Sequence, residues 1–358
     1  MPFSCKPFYF SFNQALIDNL SLLLLYCKNI MSSNRYILEM QIARGLGILL
    51  VTLGHSAPLE EVFPAIFNII YSFHMPLFFF LSGFFATKLL DIHSLKDWFN
   101  QISRSTFRLI VPYFTISLSY GLIKYFIPHM VKRPFLWQDF FYVITIYPLR
   151  NPALFLWFLY LIIIMRIITP SIPKINPWLL FLFLLFFQFF PIDCELFAIG
   201  WFLNYFIYYF MGIQISFLKD NFFILMKKQW LMFSNLAIFL ISYTLSVYLK
   251  YPALKFITAS FGSFFIISLC FCYSQFLPKK ILEKFGFYSL QIYLLQFFFI
   301  FPFEFLLQKL HVSGKFIVIG TFTVGLICPL LASIYIFPKN KVLSLLYGGL
   351  DKFNNIKK

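Results

Sequence analysis

The sequence predicts an all-α polytopic membrane protein, with about ten transmembrane helices and one amphipathic interfacial helix. Hydrophobic residues make up 61% of the chain and charged residues only 12%, and the mean hydropathy is +0.82. Soluble domains are roughly half apolar, so a soluble fold is excluded. The apolar runs are continuous and do not alternate with polar residues, which disfavours a transmembrane β-barrel.

Ten apolar segments follow one another along the chain, separated by short hydrophilic stretches. At about 20 residues per helical crossing, a chain of 358 residues has room for roughly ten or eleven spans. The segments are 40–58, 63–88, 109–129, 152–169, 177–191, 197–218, 231–249, 256–277, 287–308 and 315–337.

The two ends of the chain differ from this pattern. Residues 1–30 contain an apolar run that is too short to cross a membrane, and a hydrophilic stretch begins at Met31. We therefore interpret 1–30 as an upstream extension or a loose N-terminal segment, with Met31 as the biological start. We expect residues 31–340 to form one membrane domain and 341–358 a short basic cytoplasmic tail.

Between the second and third segments, apolar and charged residues alternate with nearly helical spacing. The apolar positions there are Leu95, Trp98, Phe99, Ile102 and Phe107. This pattern is typical of an amphipathic helix that lies in the membrane interface.

The net charge is +16, but it does not indicate a nucleic acid partner. The placement of the basic residues instead predicts how the chain is oriented in the membrane. The basic residues are scattered through the hydrophilic gaps and form no patch with interleaved aromatic residues. With the N-terminus inside, cytoplasmic segments carry 18 Lys and Arg residues against seven in outward loops. The positive-inside rule therefore predicts that both termini are cytoplasmic. The cysteines lack CxxC or His-paired spacing, and we expect no metal site.

Three ionisable residues, Arg44, His55 and His74, lie within the first two apolar segments. A charged or titratable side chain in hydrocarbon costs several kcal/mol on most scales, which makes each one a functional candidate. Arg44 and His55 are eleven residues apart, so they lie within about 20° of each other around a helix and roughly 16 Å apart along it. They therefore share one helix face.

The residue types suggest different roles along that face. In the inferred orientation Arg44 lies near the cytoplasmic end, where a guanidinium suits a phosphate or carboxylate; it equally suits a snorkelling position. The imidazole of His55, nearer the outer end, suits a general base. His74 precedes Pro76, which tends to kink a helix and open a polar cavity. A hydrogen bond from His74 to a neighbouring helix is the alternative.

These residues belong to a wider set of short motifs. The first group is Arg44-Gly45, Gly54-His55, Phe73-His74-Met75-Pro76-Leu77-Phe78 and Ser82-Gly83; the later group is Arg108 with Pro112-Tyr113, Leu156-Trp157-Phe158-Leu159, Trp201-Phe202-Leu203, Tyr209-Phe210-Met211-Gly212, and Gly286, Ser289 and Tyr293. Over roughly residues 35–337 this set resembles the acyltransferase-3 family of integral membrane acyltransferases. That family includes bacterial O-acetyltransferases of surface polysaccharides and the fucose 4-O-acetylase type.

The resemblance implies transfer of an acyl group, usually acetyl from cytoplasmic acetyl-CoA, to a hydroxyl of a cell-envelope or exported glycan. The acceptor would be a glycan or a lipid-linked glycan, and the enzyme would lie among the lipids of the bacterial inner membrane. By analogy His55, Arg44 and His74 are candidate catalytic residues, and Arg44 is also a candidate contact to the donor. Arg104 and Arg108 are candidate contacts to the phosphates of acyl-CoA.

Two positions and one spacing depart from the family pattern. Arg104 and Arg108 are four residues apart, not three, although this spacing still places both on one helix face. Gln41 stands where an acidic residue commonly precedes the Arg, and Gln296 stands where a His commonly ends the ninth-helix motif. An inactive family member is therefore one alternative. Another is a non-enzymatic transporter or flippase for a lipid-linked or small solute, with Arg44 and His74 along its pathway.

Overall fold

Helices account for most of the chain that the computed structural model describes, namely residues 38–90, 94–127 and 136–348, without the side chains of 88, 95 and 100–105. These residues contain no strand, which confirms the all-α prediction. The predicted N-terminal segment 1–30 lies outside the described residues.

The longer helices follow the apolar segments of the sequence. They are 38–54 (α1), Pro64–Phe84 (α2), Leu95–Phe126 (α3), Trp157–Ile168 (α4), Pro177–Phe189 (α5), Ile199–Phe217 (α6), Gln229–Leu249 (α7), Pro252–Tyr273 (α8), Ser289–Lys309 (α9) and Gly314–Leu331 (α10). Shorter helices lie between or after them at Leu59–Val62, Phe140–Thr145, Lys219–Met226, Lys279–Phe287 and Lys341–Leu346.

Eight stretches of the described residues are helical, long and apolar enough to cross a membrane. They are Pro64–Phe84, Thr106–Phe126, Leu154–Lys174, Leu196–Phe217, Gln229–Leu249, Pro252–Tyr273, Ser289–Lys309 and Gly314–Lys339. Each coincides with a predicted segment, so the polytopic membrane fold is confirmed. The remaining predicted segments, 40–58 and 177–191, fall on the shorter helices α1 and α5, and the total of ten stays a prediction.

The predicted interfacial helix and the third span form one continuous helix. This helix, α3, has 32 residues and begins at a capped N-terminus. Ser94 Oγ accepts a hydrogen bond from the backbone N–H of Asp97 at 3.0 Å, which satisfies a donor that the helix leaves unpaired. The helical prediction for this segment is therefore correct, and no break separates it from Thr106–Phe126.

Two close helix crossings depend on glycine. Where α2 meets α6, a Cβ added at Gly83 would lie 1.9 Å from the carbonyl oxygen of Tyr209, and one at Gly212 would lie 2.1 Å from that of Phe80. Both separations are far below van der Waals contact. Glycine at both positions is what allows the two backbones to touch, as small residues do between membrane helices.

The second crossing brings α1 against the short helix Lys279–Phe287. A Cβ at Gly45 would lie 2.1 Å from the carbonyl oxygen of Leu282, and one at Gly286 would lie 2.1 Å from that of Gln41. Since Arg44 immediately precedes Gly45, this contact fixes the position of the candidate Arg along α1.

The start of the predicted C-terminal tail packs on the membrane helices. The hydroxyl of Thr115 in α3 donates to the carbonyl oxygen of Leu346, and the side-chain amide of Gln291 in α9 donates to that of Gly348. The segment 341–348 therefore contacts the domain, and the rest of the predicted tail lies outside the described residues.

Candidate functional site

A cavity of about 200 Å³ lies between α1, α2, α3, α4 and α9. Most of its wall is aliphatic or aromatic. The side chains with polar groups on the wall are Arg44, Ser82, Arg166, Ser289 and Tyr293. A mostly apolar pocket with a few convergent polar groups is the usual form of a small-molecule site, which makes this cavity the candidate site of the described residues.

One face of α1 forms a wall of the cavity and leads to His55. Arg44, Ile48 and Val51 line the cavity, and His55 follows Val51 by four residues. Spacings of three and four place all four residues on one helix face. The backbone N–H of His55 still donates to the carbonyl of Val51 at 2.9 Å, so the helical path extends to His55, which lies one turn beyond the cavity wall.

The guanidinium of Arg44 is half-buried and stacked on an aromatic ring. Its Cζ atom lies 4.3 Å from the centroid of the Phe85 ring, within the range of a cation–π interaction. Gly45 holds the backbone against the neighbouring helix. Arg44 therefore faces the cavity from a fixed position, with part of its charge balanced by the ring.

Arg166 is a site residue that sequence reasoning missed, since it was counted only among the basic residues of a cytoplasmic segment. It lies in the last turn of α4, is half-buried and lines the same cavity as Arg44. The two side chains face the same cavity from different helices. An Arg within the apolar run WFLYLIIIMRII was a detectable signal, because ionisable residues in such runs are functional candidates.

The ring of His55 is held by a partner from α9. The side-chain Nε2 of Gln296 donates to Nδ1 of His55 at 3.1 Å and to the backbone carbonyl oxygen of Tyr293 at 3.3 Å. The Phe297 ring lies against the imidazole, with 4.8 Å between the centroids. Gln296, which departs from the family pattern, is therefore in direct contact with the leading candidate residue.

This hydrogen bond defines the tautomer of His55. Because the amide nitrogen of Gln296 donates, Nδ1 of His55 accepts, and a neutral imidazole then carries its proton on Nε2. The second donor bond of the same amide, to Tyr293, supports this orientation. Tyr293 also lines the cavity, so α9 connects the cavity wall to His55 within one helical turn.

His74 lies near His55 but not on the cavity wall. It is buried, and its Nδ1 donates to the carbonyl oxygen of Ile70 in its own helix at 2.8 Å. Its ring contacts Tyr71 with 4.8 Å between centroids, and Tyr71 also contacts His55 at 6.4 Å. Tyr71 is thus the bridge between the two imidazoles.

The structure does not bring every candidate to the cavity. Arg108 is exposed on α3, next to the cavity residue Leu109, and the side chain of Arg104 lies outside the described part. Among the described residues no group of three or more His, Cys, Asp or Glu side chains is placed to hold a metal ion.

A known protein family matches most of the chain. The model of a family described as an acyltransferase domain, the acyltransferase-3 type, matches residues 37–337. No curated protein and no solved structure matches the chain significantly. The matched range contains Arg44, His55, His74, Arg166 and Gln296.

Proposed function

Because the chain belongs to the acyltransferase-3 family and is a membrane acyltransferase, we propose that it transfers an acetyl group from cytoplasmic acetyl-CoA to a hydroxyl of a cell-envelope or exported glycan. The observation that carries this proposal is the continuous face of α1, which joins a cavity containing Arg44 to His55. The enzyme would be a multi-pass protein of the bacterial inner membrane with both termini in the cytoplasm.

The donor enters from the Arg44 end in this proposal. The excess of basic residues in alternate loops supports a cytoplasmic location for that end. Arg44 and His55 are roughly 16 Å apart along the helix, which is of the same order as an extended pantetheine arm. An acyl-CoA held by a charged group at Arg44 would therefore present its thioester near His55.

Arg104 and Arg108 would make further contacts to the donor phosphates at the inner surface. Their spacing of four residues on the continuous helix α3 places them on one helix face. They lie before or at the start of the apolar part, Thr106–Phe126, where a soluble nucleotide can reach them.

The chemical step follows general base catalysis. His55 takes the proton of the acceptor hydroxyl while the hydroxyl oxygen attacks the thioester carbonyl carbon. The C–S bond then breaks, the new C–O ester bond remains, and the imidazolium returns its proton to the departing thiolate. A positioned His base contributes typically about 10²- to 10⁴-fold to such a step.

The tautomer of His55 adds a requirement to this step. A base must offer a free lone pair. While Nδ1 accepts the hydrogen bond from the Gln296 amide nitrogen, the imidazole carries its proton on Nε2, so neither ring nitrogen is free to take a proton. Rotation of the Gln296 amide would present Oε1 to an Nδ1–H and leave Nε2 as the base. We therefore assign Gln296 the role of positioning and orienting His55. His74 would position His55 indirectly, through the Tyr71 ring that contacts both imidazoles.

The test compares two His variants made with the same substitution. Membranes are given radiolabelled acetyl-CoA and cell glycan, and label in the glycan is measured for wild type, His55→Asn and His311→Asn. Asn keeps a polar group at position 55 but cannot take the proton. His311 is exposed and has a positive φ of 54°, which Asn tolerates, so this control should transfer label normally.

We expect His55→Asn to lose at least about 100-fold in transfer rate. Transfer at the wild-type rate by His55→Asn would contradict the proposal. The family match favours an acyltransferase over the transporter or flippase alternative. Accumulation of a lipid-linked solute on one side of the membrane, without label in any glycan, would reverse that preference.

A further inference from the structure

The cavity beside α1 combines several sources of positive potential. Arg44 and Arg166 both line it, from α1 and α4. α9 begins there, since its first residue Ser289 is also on the wall, and the N-terminal end of a helix carries a partial positive charge. Among the described residues that line the cavity there is no Asp or Glu.

Two like charges in a small cavity between membrane helices are unfavourable on their own. Each has been taken partly out of water, and each raises the cost of the other because the surroundings screen charge poorly. The Phe85 ring under Arg44 and the C-terminal end of α4 beside Arg166 offset part of this cost for each residue separately.

An anion in the cavity that both guanidinium groups line would be attracted to each of them. A guanidinium is a planar fork whose N–H groups match the oxygens of phosphate or carboxylate. The two guanidinium groups come from different helices and together offer more N–H donors than the two oxygens of one carboxylate can accept. A phosphate group has an additional oxygen and therefore suits the pair better. The hydroxyls of Ser82 and Ser289 on the same wall supply further donors, as in other phosphate sites at helix N-termini.

We propose that Arg166 is a second phosphate ligand acting jointly with Arg44, so that this cavity holds one phosphate group of the acyl donor. This inference rests on the proposed function, which supplies the donor. It assigns binding to a residue outside the motifs of the sequence analysis. It also makes α4 part of the donor site, together with α1 and α9.

The test uses donors with and without phosphate. Full-length protein in lipid nanodiscs is assayed with acetyl-CoA and with S-acetyl-pantetheine, which keeps the thioester arm and lacks phosphate. The variants are Arg166→Gln, Arg166→Lys and the control Lys174→Gln, which removes an exposed cation just beyond α4. Thermal unfolding is measured for each variant to verify that it folds.

We expect Arg166→Gln to raise the KM for acetyl-CoA at least about tenfold, which is about 1.4 kcal/mol, with a smaller change in kcat. With S-acetyl-pantetheine the wild type and Arg166→Gln should have the same KM. Arg166→Lys, which keeps the charge and loses the fork, should lie between them, and Lys174→Gln should match wild type. An equal effect of Arg166→Gln on both donors would overturn the inference, since a structural role does not depend on the phosphate.

Direct binding separates this inference from the proposed function. Binding of CoA, competed by inorganic phosphate and weakened by Arg166→Gln, would support the phosphate site even if no glycan accepts label. Phosphatidic acid in the nanodisc tests a lipid headgroup as the source of phosphate. Binding of phosphatidic acid that is weakened by Arg166→Gln and is not displaced by CoA would overturn the assignment to the donor.

Discussion

The two ends of the α1 face differ in charge and in free space. At one end Arg44 and Arg166 line a cavity of about 200 Å³. At the other end the imidazole of His55 is bonded to Gln296 and packed against the Phe297 ring. The first end combines charge with room for a ligand, as a binding site for an anion requires. The second holds the imidazole of His55 against Gln296, and rotation of the Gln296 amide would free Nε2 to act as the base.

The two ends are joined by rigid elements and not by loops. α1 carries Arg44 and His55, and α9 carries Tyr293 on the cavity wall and Gln296 against His55. Sites built on helices hold their geometry more closely than sites built on loops. In the proposed function, the distance between donor binding and chemistry is therefore set by α1 and α9, which meet at the cavity and at His55.

The largest expected effect separates the two ends kinetically. His55→Asn should reduce the transfer rate at least about 100-fold while CoA binding stays as in wild type. Arg44→Gln should weaken CoA binding with a smaller loss in the rate at saturating donor. The measurement is single-turnover transfer together with CoA binding on the same preparations. Loss of CoA binding in His55→Asn would mean that the two ends are not separate.

The second effect concerns the crossing that fixes Arg44. Gly286→Ala would place a Cβ 2.1 Å from the carbonyl oxygen of Gln41, so α1 must shift, at a cost of about 1–3 kcal/mol. We expect a lower Tm and weaker CoA binding. The matched control is Gly320→Ala in α10, where the added Cβ meets the movable side chain of Phe303 at 2.9 Å. Equal losses in both variants would show that the crossing has no particular influence on Arg44.

A smaller effect is expected at Gln296. Gln296→Leu removes the partner of His55 Nδ1 and should lower kcat roughly tenfold, in line with about 1–1.5 kcal/mol for one hydrogen bond, without changing the KM for acetyl-CoA. Gln296→Glu retains an acceptor for Nδ1–H and should transfer faster than Gln296→Leu. The measurement is the kcat and KM of both variants. Identical kcat values would contradict a role for Gln296 in orienting the imidazole.

The smallest effect is expected at His74. His74→Phe retains a ring against Tyr71 and removes the bond from Nδ1 to Ile70. Because the proposed role of His74 is indirect, through the Tyr71 ring that contacts both imidazoles, we expect kcat to fall less than in Gln296→Leu. Steady-state transfer rates under identical conditions give the comparison. A loss as large as that of His55→Asn would place His74 in direct contact with the reacting groups.

The sequence by itself determined the membrane class, the places of the eight confirmed spans and the alignment of Arg44 with His55 on one face. These properties depend on apolar length and on the 3.6-residue period, which are local features of a helix. The continuity of the interfacial helix with the third span was not determined in this way, because a pattern of polarity does not specify whether two helical segments are continuous.

Only the tertiary structure decided what lies beside those residues. Gln296 meets His55 across 241 positions of sequence, and Arg166 joins Arg44 from a different helix. Such contacts depend on how helices cross, and close backbone approach at Gly45 and Gly286 fixes one crossing, that of α1 with the helix Lys279–Phe287 that precedes α9. A helix period predicts which residues share a face, but the packing of other helices against that face decides which residues become its neighbours.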